Sequence, residues 1–226
     1  MNNKKIKDMI REDLGIKKPK LNESYVTKAQ KYQLPTEMLS NKNKEAHQEL
    51  LAKYVEDLNT VSAKLDTVSR DDANLNHSEF RSLKIDEVYN LNAAFLHAMY
   101  FENISDLQSV ITMDSLSFIR IERDFGSFDA WQKDFVACGL AARNGWVCTV
   151  YNVFLNRYIN VVVDLHHHNI PFGSYPVIVM DVWEHAYYKD YLKDRKTYLY
   201  AMMKELNWKK IEDRIVKAEK IAKVAK

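Results

Sequence analysis

The stretch that most constrains the fold is an apolar run that ends in an acidic residue. Residues 175–180, YPVIVM, are rich in β-branched side chains and are typical of a buried strand. Asp181 follows directly, and His185 lies four residues further along the chain. If the chain turns helical here, the carboxylate and the imidazole face the same side. Such a pair in an apolar wall predicts half of a metal site, with a helix N-cap and a core histidine as the alternative.

The octapeptide at 181–188, DVWEHAYY, carries a specific resemblance. It closely resembles the C-terminal signature of the iron/manganese superoxide dismutases. In that family the Asp and the His bind the metal, and the Glu between them reaches across a dimer interface. The resemblance therefore implies Asp181 and His185 as metal ligands, and Glu184 with Tyr188 as interface residues.

The segment after Pro35 predicts a long helix with a broad apolar face. Ser40 is a good N-cap residue, and His47 lies near the start of the face. The residues that share this face at helical spacing are Ala46, Leu50, Leu51, Tyr54, Val55 and Leu58. The first helix can therefore bring a histidine to the core.

Residues 54–59, YVEDLN, resemble a stretch of the first long helix of the dismutases, where a metal-binding histidine precedes it. The resemblance implies His47 as a ligand, with a surface histidine as the alternative. The family spacing, counted back from Tyr54, falls on Ala46, one residue before His47. Two adjacent leucines stand where the family has further histidines.

Residues 86–103 predict a second helix, antiparallel to the first. Its expected apolar stripe consists of Val88, Leu91, Phe95, Leu96 and Met99. The sequence at 97–103, HAMYFEN, resembles the second ligand segment of the family, in which a histidine precedes an aromatic pair. His97 is thus implied as a ligand, and a core histidine bonded to a backbone carbonyl is the alternative. The residues that separate iron from manganese members are not recognisable here, so either metal fits.

Three consecutive histidines, at 166–168, lie in a loop ahead of Pro171. Adjacent side chains cannot all point at one ion. Some dismutases have a histidine here in place of the usual glutamine, and that side chain bonds the solvent on the metal. Counting back from Pro171 makes His166 the closest counterpart and His168 the second choice. Together with Tyr54, His166 is expected to position solvent and relay protons.

The succession of elements predicts an α+β fold. Strands are expected over 145–151, 158–164 and 175–180, with helices before and after them. The resemblance runs from about Tyr32 to about Arg214. It implies an N-terminal antiparallel helical hairpin packed on a C-terminal α/β domain with a three-stranded antiparallel sheet. We divide the chain into a basic extension at 1–22, a hairpin domain at 23–104 and a second domain at 105–226.

Charge and cysteine content narrow the functional classes. The chain has 33 basic and 31 acidic side chains, so no nucleic-acid or membrane-surface footprint is expected. The lysine-rich segment 1–22 lacks a signal-peptide core and predicts a solvated or loosely docked arm, with a short helix over Ile6–Leu14. Cys138 and Cys148 form no disulfide framework, which favours a cytoplasmic location.

The function implied by the resemblance is superoxide dismutation at a mononuclear iron or manganese centre. The expected partners are superoxide and a second copy of the chain, bound through the Glu184/Tyr188 face, with a larger assembly as a further option. The alternative is a dismutase-like subunit with a structural or assembly role and no activity. A hydrolase has little support, because no second carboxylate is placed as a base.

Overall fold

Two long helices form the first part of the chain in the computed structural model, which describes residues 27–106 and 108–224. Helix α1 spans Asn41–Thr67 and α2 spans Glu79–Asn103. The predicted N-cap at Ser40 is confirmed, because its side-chain oxygen accepts a hydrogen bond from the backbone N–H of Asn43. The extension at 1–22, with the short helix predicted at 6–14, lies outside the described residues.

The two helices run antiparallel, as predicted. His47 near the start of α1 contacts Phe101 near the end of α2, while Val61 packs with Leu83 at the opposite end of the hairpin. Helix α2 begins at Glu79 rather than at the predicted residue 86, because Ser78 caps it.

The predicted apolar stripe of α2 is only partly correct. Leu96 and Met99 are buried, but Val88, Leu91 and Phe95 are 42%, 51% and 46% exposed. Helix α2 is apolar on two sides, and a helix can turn only one side toward α1 and the sheet. The described residues therefore leave the second side partly exposed.

The sheet has three antiparallel strands, β1 (Gly145–Asn152), β2 (Arg157–Asp164) and β3 (Ser174–Asp181), in the order β2-β1-β3. The central strand β1 is buried along its whole length. It begins at Gly145, where a Cβ atom would lie 1.9 Å from the carbonyl oxygen of Val163. The pairing of β1 with β3 sets Trp146 opposite Asp181, which fixes the neighbours of that carboxylate.

The remaining described helices are α3 (Leu116–Phe125), α4 (Phe128–Ala141), α5 (Glu184–Tyr191), α6 (Arg195–Met203) and α7 (Trp208–Val224). Of these, α3, α4 and α7 pack against the sheet. The sequence DFGS at 124–127 predicts a helix stop followed by a new N-cap, and this break between α3 and α4 is confirmed. Gly126 ends α3 in the left-handed region with φ 84°, and Ser127 caps α4.

A buried arginine of α7 joins the hairpin to the sheet. The guanidinium of Arg214 donates hydrogen bonds to the carbonyl oxygen of Met99 at 2.9 Å and to that of Val177 at 3.2 Å, and it also bonds the side chain of Asn103. The end of α2 is thereby held against β3. Both elements carry candidate ligands, so this contact positions one against the other.

The predicted α+β architecture is confirmed, with a helical hairpin preceding a three-stranded antiparallel sheet and its helices. The division at residues 104 and 105 stays a prediction. Among the described residues no helix combines the length and the apolar character needed to cross a membrane.

Candidate metal centre

The turn between β3 and α5 supplies the first two side chains of the site. Asp181 is the last residue of β3, and His185 lies in the first turn of α5. The Nε2 atom of His185 is 3.2 Å from Oδ2 of Asp181. The other oxygen, Oδ1, accepts a hydrogen bond from the backbone N–H of Trp183 at 2.8 Å. The carboxylate and the imidazole therefore face the same side.

Helix α1 supplies the third side chain. The imidazole of His47 is buried, and its Nε2 atom lies 3.1 Å from Oδ2 of Asp181. Ala46, the residue at the family spacing, is partly exposed. The helix therefore turns His47, and not Ala46, toward the carboxylate of Asp181.

Helix α2 supplies the fourth side chain, and its hydrogen bonds define the tautomer. The Nδ1 atom of His97 lies 2.7 Å from the carbonyl oxygen of Ala93, which can only accept a hydrogen bond, so Nδ1 carries the proton. Burial holds the pKa of His97 well below its usual value, so the ring is neutral. Its Nε2 atom is therefore a bare lone pair.

That lone pair faces a negative oxygen. Nε2 of His97 lies 3.6 Å from Oδ2 of Asp181, and within residues 27–106 and 108–224 this buried nitrogen has no hydrogen-bond partner. Burial alone would raise the pKa of Asp181, but His185 and His47 hold it well below its usual range, so the carboxyl is ionised. A buried lone pair beside a buried carboxylate is unfavourable unless a cation lies between them.

The four donors converge closely enough for one ion. One ligand atom from each of His47, His97, Asp181 and His185 lies within 4.8 Å of the others, and this group could hold a metal ion. Burial also lowers the pKa of His47, against the opposing effect of Asp181, so this imidazole is neutral. Three imidazoles and a carboxylate are a donor set suited to a first-row transition metal.

A chain of aromatic groups lies beside these donors. Nε2 of His166 is 3.1 Å from the hydroxyl of Tyr54, and Nδ1 of His166 accepts a hydrogen bond from the indole N–H of Trp146 at 3.0 Å. Burial lowers the pKa of His166 to about 4. Of the two histidines considered for this position, the structure brings His166 to Tyr54. His168 instead contacts His167, with ring centroids 4.4 Å apart.

Comparisons with known proteins agree with this geometry. The model of the iron/manganese superoxide dismutases, C-terminal domain, matches residues 116–214. An iron superoxide dismutase of Aquifex aeolicus is 35% identical over 188 residues, covering 81% of this chain and 87% of the relative. The chain belongs to the iron/manganese superoxide dismutase family. A manganese superoxide dismutase of Haloferax volcanii is 38% identical over 120 residues, covering 53% of this chain and 59% of the relative.

Two residues that contact His166 beside the candidate centre were missed in the sequence. Tyr89 lies edge-on to His166, with ring centroids 4.6 Å apart, and Trp146 provides the N–H that fixes the imidazole. Tyr89 precedes His97 by eight residues on α2, close to two helical turns, so helix periodicity could have found it. Nothing in the sequence marked Trp146, because its hydrogen bond joins strand β1 to the loop that follows β2.

Proposed function

We propose that this chain is a superoxide dismutase, which converts two superoxide anions and two protons into dioxygen and hydrogen peroxide. The proposal places one iron or manganese ion at His47, His97, Asp181 and His185. The observation that carries it is the buried lone pair of His97 beside the ionised carboxyl of Asp181, which needs a cation. Family membership supports the choice of metal, since the relatives are named for iron or for manganese.

The protein's part is to bind the ion in a dry, asymmetric cage. When bound, iron or manganese would supply the alternating one-electron oxidation and reduction that dismutation needs. Four protein donors leave a further position for a small molecule, and the single carboxylate offsets part of the ion's charge. The rings of Phe101 and Trp146 pack against His47 and His97, with centroids 4.9 Å and 4.8 Å away, and exclude bulk water.

The aromatic chain can hold and deliver a proton. Because an indole N–H only donates, Trp146 leaves Nδ1 of His166 as an acceptor and places the imidazole proton on Nε2. Nε2–H then donates to the hydroxyl oxygen of Tyr54. Burial, and then the neighbouring Tyr89, raise the pKa of Tyr54, so the phenol keeps its own proton at neutral pH. That proton is available to a reduced oxygen species in the site.

A second copy of the chain is the partner that we propose for helix α5. Glu184 and Tyr188 are exposed and lie four residues apart on this helix, so they share one face next to His185. In the family the corresponding Glu reaches across a dimer interface. A dimer through this face would place the partner beside a candidate ligand.

The alternative, an inactive structural subunit, rested on three features of the sequence: the missing further histidines of the first helix, the basic extension at 1–22, and the position of His47 one residue away from the family spacing. The position of His47 is the feature that the geometry of the site tests. The premise there was that the imidazole faces away from the other donors. The structure has Nε2 of His47 buried at 3.1 Å from Asp181, which removes that reason.

Metal analysis and a superoxide-consumption assay on the same purified protein test the proposed function. The chain is reconstituted separately with iron and with manganese. We expect about one ion per chain and rapid loss of superoxide with at least one of the two metals. A folded chain that retains neither metal, or that retains metal without consuming superoxide, contradicts the proposal.

A further inference from the structure

The uncovered side of α2 forms one wall of an apolar groove. The groove encloses about 600 Å³ between α1, α2 and the segment that begins at Thr27. Leu51, Val55 and Leu58 of α1 lie along it, opposite the exposed side chains of α2. Those exposed side chains are Val88, Leu91 and Phe95, three of the residues that the sequence pattern assigned to a buried stripe.

An apolar helix face normally packs against another part of the protein or against a partner. Val88, Leu91 and Phe95 follow one another at three and four residues, so they form a single row about 10 Å long on α2. Each is between 42% and 51% exposed. A row of this kind fits the apolar face of another short helix, because such faces meet through side chains at the same spacing.

The described chain begins at this groove. The backbone of Thr27 is held to α1 by two hydrogen bonds with the side chain of Asn59, at 3.1 Å and 2.9 Å. From there the segment runs back along α1 until the N–H of Tyr32 bonds the side chain of Gln48. Thr27, Lys28 and Tyr32 themselves line the groove. Thr27, the first described residue, therefore lies at the groove's edge.

The sequence of that preceding segment has the matching pattern. Ile6, Met9, Ile10 and Leu14 recur at helical spacing, and Asp13 near the end of the segment is the one charged residue inside their arc of the helical wheel. Lys4, Asp8 and Arg11 fall on the opposite side. As a helix, residues 6–14 would place this row over about 12 Å, comparable with the row on α2. The residues from 15 to 26 can span about 40 Å when extended, so the distance from Thr27 does not limit docking.

We propose that the segment Ile6–Leu14 docks in the groove of the same chain, with its apolar row against Val88, Leu91 and Phe95. The segment covers the side of α2 that the rest of the chain leaves exposed. This contact involves none of the candidate ligands and is independent of the proposed activity.

Site-directed cross-linking in the full chain tests the contact. Cys138→Ser removes the half-buried thiol, and Cys148 is buried and its thiol pKa is raised, so it does not compete. Met9→Cys is combined with Leu91→Cys in the groove or, as the control, with Leu140→Cys, a side chain of similar exposure on α4. Both proteins react with a short bismaleimide, and mass spectrometry of the digested chain quantifies the products.

Docking raises the local concentration of one thiol at the other, so we expect the groove pair to cross-link within one chain at least about fivefold more than the control pair. Adding Ile10→Asp should reduce this yield to that of the control, while Arg11→Asp should leave it unchanged. Equal yields for the two pairs, or equal effects of the two aspartates, overturn the proposal. Cross-links mainly between two chains also overturn it, because they place a second copy in the groove.

Discussion

The two halves of the candidate metal centre are built in different ways. Asp181 and His185 come from a single turn between β3 and α5, and four residues of chain bring them to 3.2 Å. His47 and His97 come from two helices and are fifty residues apart. Their approach to Asp181 depends on how the hairpin packs against the sheet. The C-terminal half is therefore fixed by local geometry, and the N-terminal half by tertiary packing.

Removing a donor of the C-terminal half, which consists of Asp181 and His185 and is called the local half below, should have the largest effect on metal retention. His185→Ala removes one of the four candidate ligands. Metal affinity should fall by more than the roughly 10–100-fold that is typical when a residue hydrogen-bonded to a ligand is lost. Metal content after dialysis against a chelator measures it. His167→Ala is the matched control and should retain metal as the unchanged chain does. Equal metal content in the two variants contradicts the assignment.

Removing a donor of the N-terminal half, which consists of His47 and His97, tests whether the two halves act as one site. His47→Ala should reduce metal retention nearly as much as His185→Ala. The Nε2 atoms of the two histidines lie at similar distances from Oδ2 of Asp181, 3.1 Å and 3.2 Å. Ala46→Ser, one residue away and partly exposed, should have no effect. If His47→Ala retains metal while His185→Ala does not, the hairpin contributes packing rather than a ligand.

The neutral histidines predict a dependence of stability on pH. Burial lowers the pKa of His166 from 6.5 to about 4, so unfolding takes up a proton between these values. Stability is then fully present above the unfolded value and is lost as pH falls toward the folded one. Between these two pH values the free energy of unfolding falls by about 3 kcal/mol through His166. The pKa values of His47 and His97 are also lowered, and they act in the same direction.

Urea unfolding of the metal-free chain at about pH 7 and about pH 4 measures this loss. His166→Gln should reduce the difference between the two pH values by about the contribution of one histidine. An unchanged difference in that variant means that His166 is not the group taking up the proton.

The smallest expected effect is that of a variant designed to change proton transfer without changing metal binding. His166→Ala should lower the rate of superoxide consumption by about 10–100-fold while metal content stays constant, because the hydrogen bonds of this side chain go to Tyr54 and Trp146 and not to the four candidate ligands. His168→Ala, the neighbouring loop histidine, is the control and should leave the rate unchanged. Loss of metal in His166→Ala would place this residue among the structural supports of the cluster.

Local patterns predicted much of the fold. Serine and glycine signals fixed the helix limits at Ser40, Gly126 and Ser127, and β-branched runs gave the three strands. The stripe on α2 was misjudged because a helix with apolar residues on two sides does not reveal which side packs. The hydrogen bond of Trp146 and the ring contact of Tyr89, both with His166, were missed because each joins parts of the chain that only tertiary packing brings together.

The sequence by itself determined the local half of the site, since the geometry of one strand end and one helical turn is set by neighbouring residues. It also determined the residue types available for a metal, through the histidines of the two long helices. Only the tertiary structure decided that His47, and not a position one residue away, faces Asp181. The reason is that one residue turns a helical side chain by about 100°, and that choice is made by packing across the molecule.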